Sequence, residues 1–230
     1  MRLDRLLGQH PTWGRQQIKA MLAQREVLVD HQVVTDGTLD INQFQTVTAR
    51  NETLQQGKPA IYLMMNKPTG WLSATSDPVH TTVMELLPVE LRKELHIAGR
   101  LDRASSGLLI LTNDGLWSRR LTDPDLQKAK VYHVTTGNLI APDTRQRFAE
   151  GIYFPYENIT TSPAQLEQLS DKEARLTIYE GRYHQIKRMF GRFRNPVTGL
   201  HRESMGDITL DECLAPGEFR HLSAAEIASV

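Results

Sequence analysis

The chain lacks the residues on which several kinds of protein depend. It has one cysteine, Cys213, so no intramolecular disulfide can form and no multi-cysteine metal site can be built. A zinc-dependent base deaminase, which needs His-x-Glu and Pro-Cys-x-x-Cys segments, is excluded on that count. No apolar run approaches the roughly 20 residues of a membrane-spanning helix. The opening Met1-Arg2-Leu3-Asp4-Arg5 has no apolar core of the secretory kind. A soluble cytoplasmic protein, with no metal and no membrane contact, is expected. Net charge is missing too, since 27 Lys and Arg balance 27 Asp and Glu.

What is present is enough for a packed fold. With 230 residues and 40% hydrophobic content, the chain can form one large domain, or a small one joined to a larger one. Its charges are unevenly placed. Between Gly181 and Arg202 stand six Lys or Arg residues and no Asp or Glu. A neutral protein with one such basic face can bind a phosphate backbone, because the local field matters more than the total. The plainer reading is a solvated helix face.

Leu3, Leu6 and Leu7 share one helix face, and Ile18, Met21 and Leu22 a second. Val27, Val29, Val33 and Val34 flank a tight Asp30-His31-Gln32 turn, which predicts a hairpin. The polar stretch Leu54–Pro59 reads as a linker, giving domains at 1–58 and 59–230. Beyond it, strands are predicted at 61–65, 107–112, 131–135 and 174–179, and helices near 82–87, 116–121, 142–150 and 183–192. Their order lacks βαβ alternation, so the fold class is α+β with a largely antiparallel mixed sheet.

Five segments stand out. They are Asn66-Lys67-Pro68-Thr69-Gly70, Gly99-Arg100-Leu101-Asp102 followed by Ser105-Ser106-Gly107-Leu108-Leu109, Lys130-Val131-Tyr132, the basic stretch Glu180–Met189, and Leu200-His201-Arg202. A carboxylate in a loop before a strand, flanked by Arg100 and Arg103, suits a nucleophile exposed in a cleft. A strand tyrosine offers a ring for stacking, though most strand tyrosines are simply core. Alone, Arg-Leu-Asp is a common tripeptide, and Arg2-Leu3-Asp4 repeats it in the same chain. Together, the five segments resemble the pseudouridine synthases, in particular the branch that modifies ribosomal RNA.

That resemblance implies a cofactor-free isomerase with a central cleft, which detaches a uridine from its ribose and rejoins it through C5. It assigns Asp102 as nucleophile, toward C1′ of the sugar or C6 of the base. Tyr132 becomes the stacking partner and candidate base for the C5 proton. Lys187 becomes the ion-pair partner of Asp102, with a one-residue slip to Arg188 left open. Leu200 is expected on the opposite face of the base, Arg182 and Arg202 on the RNA backbone, and Arg100 in the space a flipped base vacates. The Asn66–Gly70 segment is expected to be cleft scaffolding. The implied target is a uridine of small-subunit ribosomal RNA, uridine-516, in free RNA or a partly assembled particle, and the enzyme is expected to be a monomer.

The N-terminal helix–helix–hairpin unit resembles a small RNA-binding fold shared by a ribosomal small-subunit protein and several RNA-modifying enzymes. This implies a phosphate grip by Arg15 and Lys19 on the second helix. Two positions depart from that family: His31 and Gln24 stand where glycine is customary. Competing readings are a synthase acting on large-subunit RNA, a non-catalytic RNA-binding assembly factor, and a glycosidase pairing Asp102 with Glu180 or Asp114. The short stretch after Pro216-Gly217-Glu218 favours the small-subunit target.

Overall fold

The two leucine- and isoleucine-bearing faces near the N-terminus form helices α1 (Leu3–Leu7) and α2 (Arg15–Ala23), with those side chains buried. The computed structural model describes residues 1–230 and divides into two units, Met1–Ala60 and Ile61–Val230. In the first unit, β1 (Val27–Val29) and β2 (Gln32–Val33) are joined by Asp30 and His31, at φ 49° and 66°. Two successive left-handed residues match the twist of a tight hairpin.

The unit holds more than one hairpin. β3 (Val47–Ala49) and β4 (Glu52–Gln55) extend the sheet in the order β2-β1-β3-β4. Their turn uses Arg50 and Asn51, at φ 50° and 65°. Neither glycine nor proline marks that turn, and the outer strand is polar, so the pair is hidden from a pattern reading. β4 runs through Gln55 into the stretch expected to be linker, and Leu54 packs on the N-terminal core.

The second unit is built on a nine-stranded sheet. Its strands are β5 (Tyr62–Lys67), β6 (His96–Ala98), β7 (Ser106–Thr112), β8 (Lys130–Thr136), β11 (Gln165–Gln168), β12 (Glu173–Ile178), β13 (Val197–Met205), β14 (Ile208–Thr209) and β15 (Phe219–His221). The central path is β11-β12-β8-β13-β7-β5-β15, with β6 paired to β7 and β14 to β13. All pairings are antiparallel except β13 with β7. A separate small hairpin joins β9 (Tyr153–Phe154) and β10 (Ile159–Thr160). Five helices accompany them: α3 (Val89–Arg92), α4 (Gly115–Thr122), α5 (Thr144–Glu150), α6 (Gln185–Gly191) and α7 (Ala224–Ala228). The α+β class with a mainly antiparallel mixed sheet is what the structure shows.

The uninterrupted apolar run of β7 has a simple cause. Leu109 and Leu111 point into one core with Leu63 and Met65, while Leu108 and Ile110 join Met64, Trp117 and Leu121 in a second core behind the sheet. A strand buried on both faces has no polar side to show. By contrast β8 alternates: Lys130, Tyr132, Val134 and Thr136 are buried, and the residues between are half-exposed.

The parallel β13–β7 contact sets Arg202 beside Gly107. Gly107 has φ +100°, and a Cβ there would lie 2.3 Å from the Arg202 carbonyl oxygen and 2.6 Å from its nitrogen. Gly107→Ala therefore combines left-handed strain with a backbone collision. It should cost more than about 3 kcal/mol, read as a lowered denaturation midpoint or loss of soluble protein; wild-type stability would contradict this account of the central pairing.

Candidate active site

The loop from Gly99 to Ser105 connects β6 to β7 and carries Asp102. It is gripped through its main-chain carbonyls. Lys67, at the end of β5 and fully buried, donates from Nζ to the carbonyls of Ser105 (2.7 Å), Pro68 (3.0 Å), Asp102 (3.2 Å) and Arg103 (3.4 Å). Arg202 of β13 donates from Nε to Leu108 O (2.8 Å) and from Nη2 to Gly99 O (2.7 Å). The amide of Ser105 closes the turn onto Asp102 O at 3.0 Å, and Gly70 N reaches Arg103 O at 2.7 Å. Burial pushes the Lys67 ammonium down to about 8, with the Asp102 charge acting against that and the Arg202 charge adding to it.

The carboxylate of Asp102 turns toward α6. Ile186, Met189 and Phe190 bury the inner face of this helix, which leaves Lys187 at the cleft. Lys187 Nζ lies 3.1 Å from Asp102 Oδ2, and His184 Nε2 lies 3.4 Å from Oδ1. Each oxygen thus has its own nitrogen neighbour. His184 caps the helix in a left-handed conformation (φ 48°, ψ 33°), rare for a residue with a Cβ. That reversal lets consecutive rings stack, with Tyr183 and His184 centroids 3.9 Å apart. Upstream, Glu180 accepts from Gln185 Nε2 (2.8 Å), Arg182 Nε (2.9 Å) and the Ser162 amide (3.0 Å), fixing the approach to the helix.

Tyr132 and Leu200 complete the site from β8 and β13. They line a narrow cleft of about 90 Å³ together with Arg100, Asp102, Ser105 and Lys187. Arg100 is exposed, while Arg182, also at the cleft, is engaged by Glu180. Arg15 and Lys19 are both exposed in the N-terminal unit, where they line a broad surface concavity of about 940 Å³ with Arg2, Arg5 and Trp13. The structure holds no group of three or more His, Cys, Asp or Glu arranged for a metal.

Three expectations need correction. Arg202 is 1% exposed and committed to two main-chain carbonyls, so it holds the Asp102 loop and cannot reach an RNA backbone. The slip to Arg188 is removed, because Arg188 pairs with Glu157 (2.9 Å) and lies 3.8 Å over the Phe154 ring. The acid-free basic run is not a bare cationic face: Arg182 meets Glu180, Lys187 meets Asp102 and Arg188 meets Glu157. Neither carboxylate nominated for a glycosidase lines the cleft. Glu180 is tied as above, and Asp114 caps α4 through the amides of Leu116 and Trp117 while accepting from Tyr62.

Two neighbours of Asp102 escaped the sequence reading as members of the site. Helical spacing separates His184 from the buried positions but gives no sign of its left-handed turn onto Asp102. Lys67 does leave a signal: a lysine directly after Leu63-Met64-Met65-Asn66 and before Pro68 must lie at the mouth of a buried strand.

A family model described as RNA pseudouridylate synthase matches residues 61–191. Over 230 residues the chain is 51% identical to the ribosomal small subunit pseudouridine synthase A of Pseudomonas aeruginosa, with all of both chains covered. Identity to the protein of the same name in Escherichia coli K12 is 42%, again over the whole of both. Among solved structures, a pseudouridylate synthase crystal structure aligns with a TM-score of 0.73 at 38% identity, covering 100% of this chain and 99% of that one. With more than half its length matched by the family model and full-length relatives well above 30% identity, the chain belongs to the RNA pseudouridylate synthase family.

Proposed function

We propose that this protein converts one uridine of small-subunit ribosomal RNA to pseudouridine, with Asp102 as nucleophile. The observation that carries the reading is the Asp102 carboxylate, set at the cleft between Lys187 and His184 and beside Tyr132 and Leu200. Breaking N1–C1′, turning the base and forming C5–C1′ needs no redox partner and no external group donor. It needs a positioned carboxylate, to attack C1′ or C6, and a walled space in which a detached base can turn. Tyr132 stacks on one face of the base and takes the C5 proton, and Leu200 covers the other face. Lys187 holds the carboxylate in line. A base inside folded RNA must be flipped out to reach the cleft, and the exposed Arg100 fills the gap it leaves.

The target is a uridine of 16S RNA, uridine-516; the names of the full-length relatives support the small-subunit part of this reading. The enzyme acts as a cytoplasmic monomer, on free RNA or a partly assembled particle. Residues 1–58 form the RNA-binding domain, with Arg15 and Lys19 on phosphates, and 59–230 the catalytic domain.

Tritium release from small-subunit RNA transcribed with 5-tritiated uridine tests the reaction directly. Asp102→Asn should fall below about 10⁻³ of the wild-type rate while binding the RNA as tightly; turnover near wild type in that variant would remove Asp102 as nucleophile. Lys187→Met should lower the single-turnover rate about a hundredfold. Lys187→Arg should recover part of it, because it restores the charge in a different, forked geometry. Equal rates for Met and Arg would mean the charge is not used. Lys67→Met leaves several carbonyls of the Asp102 turn without their donor. It should cost about 2 kcal/mol of stability and slow turnover without weakening RNA binding, as seen by chemical denaturation beside filter binding.

A further inference from the structure

One buried polar group in the site has no partner. Ser105 is 1% exposed, and its Oγ makes no hydrogen bond. Buried hydroxyls nearly always find a partner, so an orphan calls for an explanation. The backbone of this residue is fully committed: its amide binds Asp102 O at 3.0 Å and its carbonyl accepts from Lys67 Nζ at 2.7 Å. The side chain alone is left over, and it lines the same cleft as Asp102, Tyr132 and Leu200. The contrast with its neighbour is direct, since Ser106 Oγ, on the strand that follows, pairs with His201 Nδ1 at 2.9 Å.

We propose that Ser105 Oγ is a substrate contact, reserved for the hydrogen-bonding edge of the uracil that enters the cleft. This rests on the proposed reaction and deepens it. Tyr132 and Leu200 are assigned to the faces of the base, and Asp102 to the bond being broken. A hydroxyl one turn from Asp102 on the same clamped loop is placed for the edge. Uracil presents two carbonyl oxygens and one N–H there, and a hydroxyl both donates and accepts. It can therefore serve the base before and after it turns over, when the edge it meets changes. A methyl-bearing or apolar residue at this position would cost the free protein nothing in hydrogen bonds. The group is thus unfavourable to folding and useful only when the site is filled.

Stability and activity should therefore move in opposite directions. Ser105→Ala removes an unpaired buried hydroxyl, so its thermal midpoint should equal or exceed that of wild type. Its kcat/KM in the tritium-release assay should fall about tenfold, the size of one neutral hydrogen bond. Ser105→Thr, which keeps the hydroxyl, should recover most of that loss. Wild-type kcat/KM in Ser105→Ala would overturn the proposal, as would a loss of activity accompanied by a lower midpoint, which would mark a structural residue. The parallel wild-type reaction separates the two levels of inference. No tritium release from wild type on any ribosomal RNA would refute the function itself, whereas release by wild type and Ser105→Ala alike would refute only the role of Ser105.

Discussion

Two buried cations without a carboxylate of their own determine the shape of this active site. Lys67 and Arg202 are removed from water and solvated instead by main-chain carbonyls of the Gly99–Leu108 segment. Removing a charge from water is costly unless hydrogen bonds replace the lost hydration. Here the loop supplies them, and in doing so it is fixed at both ends. With its carbonyls turned inward to the cations, the loop presents the Asp102 side chain outward to the cleft. The strand pairings exist in the register this needs: β5 delivers Lys67 opposite Gly107, and the β13–β7 contact delivers Arg202 beside the same glycine.

The same arrangement explains how a chain of zero net charge can present a site to a polyanion. Around the single carboxylate of Asp102 stand Lys187, His184, Lys67 and Arg202, with Arg100 exposed at the rim. Two further cations of the basic stretch near the cleft are matched by carboxylates, one distant in sequence and one adjacent. Arg188 takes Glu157 from the β9–β10 turn, and Arg182 takes Glu180. Positive charge is therefore concentrated around Asp102 rather than spread over the helix face beside it.

This distinction marks where the sequence was legible and where it was not. That Asp102, Tyr132 and Lys187 meet at one cleft was foreseen through the family resemblance of their motifs, not through any local pattern. The buried strand at 107–112, the alternating strand at 131–135 and the helix carrying Lys187 were readable from periodicity. Arg202 was misread because its fate depends on a parallel strand pairing between residues nearly a hundred positions apart, and no local pattern reveals that an arginine will be enclosed. The β3–β4 hairpin of the N-terminal sheet was missed for another reason. A turn made of Arg50 and Asn51 with both residues left-handed carries none of the usual markers, and Glu52-Thr53-Leu54-Gln55 has too little apolar content to announce a strand. The apparent basic face failed likewise: Glu157 lies 31 positions from its arginine, so the neutralising charge was invisible in a window of sequence.

Several local costs in the second unit meet around Asp102: a buried ammonium, an unpaired buried hydroxyl and a left-handed histidine, within the segments 66–70, 99–105 and 181–188. β5 and β7 are sealed on both faces by aliphatic side chains, and α6 is nailed to that core by Ile186, Met189 and Phe190. The Asp102 carboxylate is approached by two separate nitrogens at 3.1 and 3.4 Å and is held from behind through its own main chain. The double-sided core is what allows a neutral, modest-sized enzyme to sustain that tension in a loop open to solvent.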